Sequence, residues 1–141
     1  MNYYSKQIID VFNDIKHNYS LDVKYNFIGN AGDIKIGEYI TLYIDIDPHA
    51  DILSSKIIKA TFSAIGSVML LATAEYLCSM IECITLQEAL FVVDPDNDNG
   101  LYALDILETR EHSFGFVLQA FYDAVENINN SAISSTSVGK I

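Results

Sequence analysis

Three acidic residues at alternate spacing, with a fourth seven residues further on, are the first candidates for chemistry in this chain. Asp94, Asp96, Asp98 and Asp105 fall at positions one, three, five and twelve of a twelve-residue loop, with Leu101 at the apolar position eight. Oxygen ligands at that spacing suit a calcium ion. Two departures weaken the match: the bend at position six holds Asn99 with Gly100 one residue late, and the twelfth residue is Asp instead of a longer, bidentate Glu. Asn tolerates left-handed backbone, so the competing assignment is a solvated acidic turn between two helices. Asp45, Asp47, His49 and Asp51 form a second cluster, but alternate residues at a strand end and its turn are ordinarily solvated. Asp33, Ser67, His112 and Ser113 supply the residue types of a nucleophilic triad. No Gly-x-Ser-x-Gly elbow accompanies them, and adjacent His112 and Ser113 are expected to point to different sides of a helix start. An enzyme is therefore not expected. Cys78 and Cys83 stand five apart in helical sequence, which rotates them about 140° relative to each other. They read as packed small hydrophobes, not as a ligand pair.

The elements that must position these groups follow from periodicity. Ile8, Ile9, Phe12 and Ile15 recur at helical spacing among polar residues, predicting an amphipathic helix over about residues 4 to 17. Val23, Tyr25 and Phe27 alternate with polar neighbours as a strand would, and Gly29-Asn30-Ala31-Gly32-Asp33 then reads as a turn or loop. Residues 39 to 46 are the clearest strand, with 57 to 62 as its hairpin partner across Asp47-Pro48-His49. From Gly66 to Ile81 the period changes: an apolar run with Ala72, Thr73 and Ala74 at its middle is interrupted by Glu75, which favours a buried helix over a membrane span. Thr85-Leu86-Gln87-Glu88 is a capping box that starts another helix. Asp94 to Gly100 breaks it, a last helix ends near Asn127, and the Ser-rich residues 130–141 are expected to form a disordered tail beyond a single domain of residues 1–129.

Composition limits the partners. A chain of 141 residues, half of them hydrophobic, suffices for one domain with one sizeable core. With 19 acidic against 8 basic side chains and a net charge of -11, its field repels nucleic acid and anionic membrane surfaces. A basic protein or a cation is the favoured partner. Two cysteines give no disulfide framework, and the first residues lack the basic and apolar segments of a signal peptide, so the expected location is the cytoplasm.

Three separated stretches carry a resemblance. Tyr4-Ser5-Lys6-Gln7-Ile8-Ile9-Asp10, Ala31-Gly32-Asp33 and Phe62 to Ser67 fall in order with Leu86-Gln87-Glu88-Ala89 and His112-Ser113. Together they resemble the IscU/NifU N-terminal (SufU-like) family of iron–sulfur cluster assembly scaffolds, over about residues 4 to 127. In that family the second stretch reads Cys-Gly-Asp, the third carries Cys just after its Gly, and a third Cys follows the His. Here those positions hold Ala31, Ser67 and Ser113, while Asp33 and His112 survive.

The resemblance implies an α+β fold, a three-stranded antiparallel sheet covered by helices on one face. It also implies that Ala31, Asp33, Ser67, His112 and Ser113 lie together at the family's cluster pocket. The family's cargo is an iron–sulfur cluster or zinc, yet soft thiolates are what hold a cluster, and a methyl and two hydroxyls are poor substitutes. No cofactor is therefore expected, and the chain is expected to be a degenerate paralogue that binds a partner of the assembly machinery, such as a cysteine desulfurase. Both prolines of the family's chaperone-docking segment are absent from Ile106-Leu107-Glu108-Thr109-Arg110. The alternative is a metal-binding protein using Asp33 and His112, or the loop Asp94 to Asp105.

Overall fold

The computed structural model describes residues 5–18, 27–47, 49–104 and 111–139, with side chains of the last helix described from His112 through Ile128. Three strands form one antiparallel sheet in the order β1 (Phe27–Asp33), β2 (Glu38–Asp47) and β3 (Lys56–Ile65). In β2 every second residue is inward and buried: Glu38, Ile40, Leu42, Ile44 and Ile46. Each of those isoleucines, withdrawn from water, contributes roughly 1.5–3 kcal/mol. A register shift between Asp45 and Ile46 absorbs one residue where β2 meets β3.

Helices cover the inward face. α1 (Lys6–Asn13) starts at Ser5, whose hydroxyl accepts the Ile8 N–H at 3.2 Å. α2 (Val68–Ile81) is buried along Met69, Leu70, Ala74, Leu77, Cys78 and Ile81, because it is covered by the sheet, α1 and α4. Among the described residues no helix is long and apolar enough to cross a membrane. α3 (Leu86–Val92) carries the expected capping box: the Glu88 N–H donates to the Thr85 hydroxyl at 3.2 Å and the Thr85 N–H to the Glu88 carboxylate at 3.1 Å. That carboxylate is held below its usual range by the Thr85 N–H and then by its hydroxyl. α4 (Glu111–Gly139) lays Val117, Ala120, Phe121, Ala124 and Ile128 into the core.

Three expectations from sequence differ from what is found. α1 stops at Asn13 instead of running to residue 17, because the next residues are drawn away by α2 and β3. The Lys16 and His17 N–H groups both donate to the Glu75 carboxylate, at 2.9 and 2.8 Å, and the His17 carbonyl accepts the Phe62 N–H. The stretch from Gly29 to Asp33 is strand, not turn. Gly29 sits where α4 crosses β1: a Cβ there would overlap the Ala120 carbonyl and come within 2.6 Å of the Ala124 nitrogen. Gly32, at φ 122°, lies against the Glu38 carbonyl of the facing strand. Its glycines thus serve close approach and a strained backbone angle within a strand. Finally, α4 continues past Asn127, where the last helix was expected to end, to Gly139. Neither Pro nor Gly interrupts the chain between Phe116 and Val138.

Gly29→Ala forces α4 off the sheet or bends β1, and is expected to destabilise the domain by about 2 kcal/mol or more. Chemical denaturation of the variant measures this, and an unchanged midpoint would contradict the close packing of α4 on β1.

Candidate functional site

The site forms where the start of β2 meets the first turns of α2 and α4. Glu38 opens β2 in phase with its inward isoleucines, so its carboxylate projects beneath the helices and is only 5% exposed. Burying a carboxylate in this way is costly unless each oxygen finds donors. Both do. Oε2 accepts the Ser67 N–H at 3.1 Å, and Oε1 accepts the Ser67 hydroxyl at 3.1 Å. The Ser113 hydroxyl donates to Oε1 as well, and His112 Nε2 lies 3.3 Å from the same oxygen. The two serine oxygens are 3.2 Å apart. Each hydroxyl has one hydrogen: that of Ser113 goes to Glu38, and that of Ser67 is shared between Glu38 and Ser113.

Local sequence explains the arrangement. Ser67 is the N-cap of α2, accepting the Leu70 N–H at 3.2 Å while its own N–H stays free for Glu38. Gly66, at φ 155°, is required twice over: its backbone angle disfavours a side chain, and a Cβ there would collide with Glu38 Oε2. Ser113 is fully buried, whereas His112 is half exposed with its ring edge against Phe116 at 6.0 Å. His112 and Ser113, expected to point apart, both reach Glu38 Oε1, because the carboxylate enters at the helix start between the two directions.

The structure thus brings Ser67, His112 and Ser113 onto one carboxylate. Asp33 faces Glu38 across the β1–β2 pairing, but it is exposed and its side chain caps the following turn by accepting the Lys35 N–H at 2.9 Å. Ala31 pairs with Ile40, two residues further along the same strand. Among the described residues no group of three or more His, Cys, Asp or Glu is arranged to hold a metal ion. Of the calcium-loop positions, Asp105 lies outside the described residues, as does the segment Ile106 to Arg110. The Asp94 carboxylate accepts the Asp96 N–H at 2.9 Å, and Asn97 similarly accepts from Asn99, so these side chains shape the turn. Asp98 is exposed. In the second cluster Asp51 caps a short turn, accepting from Leu53 and Ser54.

Glu38 was missed from sequence. Its signal was phase: it stands two residues before Ile40 in an alternating strand, on the side that is buried. A second, partly buried cluster was missed as well. His17 places Nδ1 against Glu75 and Nε2 3.0 Å from Glu82, whose other oxygen accepts the Ala60 N–H at 2.9 Å. The acidic residue inside the apolar helix is an acceptor for the chain crossing it. Beside this cluster is an open cavity of about 470 Å³.

At the mouth of the Glu38 site, a smaller apolar cavity of about 140 Å³ is lined by Ile34, Gly37, Tyr39 and Ile65 together with Glu38. Ile34 and Ile65 are 79% and 75% exposed.

With the fold and this geometry established, comparison with known proteins identifies the family: the chain belongs to the NifU-like N terminal domain family, whose model matches residues 3–134. No curated protein sequence matches the chain. Solved structures of similar fold include two from bacteria. A putative iron–sulfur cluster assembly scaffold protein for the SUF system from Fervidobacterium islandicum AW-1 has a TM-score of 0.66 at 19% identity, covering 86% of this chain and 95% of that one. The N-terminal part of a nitrogen-fixing NifU-like protein from Brucella abortus also has a TM-score of 0.66, at 12% identity, covering 89% and 94%. Family and fold are those of iron–sulfur cluster assembly scaffolds.

The residues at the site do not fit an iron–sulfur cargo. A cluster needs about four good ligands, chiefly thiolates. The hydroxyls of Ser67 and Ser113 are engaged with Glu38, Ala31 has no donor, and Asp33 is turned to Lys35. Both cysteines are elsewhere, unpaired: Cys78 is buried and Cys83 exposed. Burial, and then the charges of Glu75 and Glu82, push the Cys78 thiol well up. Native protein is expected to show only the Cys83 thiol to an alkylating reagent, and the unfolded chain to show both. Mass spectrometry of Cys83→Ser after native labelling checks the assignment, since rapid labelling of Cys78 would contradict its burial.

Proposed function

We propose that this protein is a degenerate member of the scaffold family that does not hold a cluster alone, is not an enzyme, and acts in the cytoplasm by binding a partner of the assembly machinery. The observation that carries the proposal is the composition of the pocket: two buried or half-buried serines and a half-exposed histidine gather around a buried carboxylate, with no thiolate among them. Iron capture and persulfide acceptance both need nucleophilic sulfur, which the pocket lacks.

Partner binding is supported by surface chemistry beside the pocket. Ile34, Ile36 and Ile65 are exposed at 79%, 56% and 75%, an apolar lip of the kind that marks interaction surfaces. The chain's net charge of -11 disfavours a second copy and favours a partner with a basic rim. A cysteine desulfurase of the same cell is the partner to test.

Anaerobic incubation of the natural chain with iron and sulfide is expected to leave it colourless after desalting. Stable visible absorption with stoichiometric iron and sulfide would overturn the cluster-free assignment. Calorimetric titration with the desulfurase tests the partner separately: binding is expected, weakened at least about tenfold by Ile34→Asp combined with Ile65→Asp. No binding by the natural chain would remove the desulfurase, and an unaffected variant would remove the apolar lip as its site.

A further inference from the structure

We propose that the pocket is an anion site whose ligand is the protein's own Glu38, and that emptying it creates a receptor for a small free monocarboxylate. The inference goes beyond the cluster-free assignment, and it stands on the donors that surround this carboxylate.

The Ser67 N–H and the hydroxyls of Ser67 and Ser113 all present hydrogen to Glu38. Oε2 faces the N–H of Ser67, at the N-terminal end of α2, where unpaired amides carry partial positive charge. Oε1 faces two hydroxyls and the His112 ring nitrogen. A metal cation placed here would meet amide and hydroxyl hydrogens and would compete with them for the carboxylate. An anion meets them as they stand. Gly66 completes the cradle, since any side chain at that position would occupy the space of Oε2. The donors come from α2 and α4, whereas the carboxylate comes from β2, so ligand and receptor lie on different elements and are joined only through the tertiary fold.

The same geometry explains why the serines and Glu38 belong together. Thiolates at positions 67 and 113 would turn two donors into two negative charges against a buried carboxylate, a like-charge cluster that low dielectric makes costly. Without a cation to offset them, thiolates at 67 and 113 would be disfavoured beside this carboxylate.

Chemical rescue tests this without iron or sulfide, so it can fail while the cluster-free assignment stands, and the reverse. Glu38→Ala is expected to lower the thermal midpoint by roughly 10 °C, since buried donors lose their acceptor. Sodium formate, compared with sodium chloride at equal ionic strength, should then restore roughly 4 °C at about ten times its dissociation constant, in a saturable manner. The natural protein should not respond to formate beyond chloride, and Glu38→Ala combined with Ser113→Ala should lose the saturable component. A folded Glu38→Ala protein that formate does not stabilise more than chloride would overturn the proposal. If Glu38→Ala does not fold with or without formate, Glu38→Gln decides. That variant keeps the volume but turns an amide NH2 toward donors, and should lose several degrees and exchange its Ser67 to Leu70 amides faster. Stability and exchange equal to the natural chain would overturn the anion site.

Discussion

A carboxylate withdrawn from water must be matched by donors, and at Glu38 those donors belong to two helices that are far apart in sequence. Desolvating such a group costs several kcal/mol, so its partners cannot leave without a penalty of that order. The start of β2, the N-cap of α2 and the first turn of α4 are therefore fixed to one another by a single side chain. Gly66 is a dependent feature: only a residue without a Cβ lets the strand-to-helix turn pass close to the carboxylate. The apolar core around Ile40, Leu42 and Phe62 gives the domain its stability, but burial is non-directional and would tolerate small slips. The polar contacts at Glu38 select one arrangement.

The same device recurs further along α2. Glu75 is almost fully buried in a helix that is otherwise apolar on nearly all sides, and it accepts two backbone N–H groups from Lys16 and His17. His17 in turn spans Glu75 and Glu82. A chain segment without regular structure is thereby held along the edge of β3, where Asn18 bridges to Phe62. Such networks specify as well as stabilise, because each unsatisfied member would be expensive. α2 is positioned at its start by a carboxylate from β2, at its middle by its own Glu75 and at its C-cap by Glu82.

The fold gathers the starts of α2 and α4 around one buried carboxylate. In this chain that geometry is rich in hydrogen donors and suited to negative charge. The carboxylate those donors meet is the protein's own Glu38. What remains available to other molecules is the rim, where exposed isoleucines of the β1–β2 connection and of the β3 end stand beside the closed pocket.

Local signals determined much of this. The change from period two to helical spacing at Gly66, the capping box at Thr85 and Glu88, and the alternation through β2 each rest on neighbours within a few residues, so they were legible in sequence and are found in the fold. The family was legible too, from the order and spacing of short motifs, and its model matches residues 3–134. Gly29 to Asp33 was misread as a turn, since glycine signals a turn and a close approach alike, and only the crossing of α4 tells them apart. The length of α1 depended on Glu75, some sixty residues away. Glu38 could not be recognised as the centre of the site, because its significance lies in donors at Ser67 and Ser113 that approach it through folding alone. Sequence fixes the periodicities and the chemistry of each side chain, whereas which carboxylate meets which donors is decided by tertiary contacts between distant elements, where burial makes each pairing obligatory.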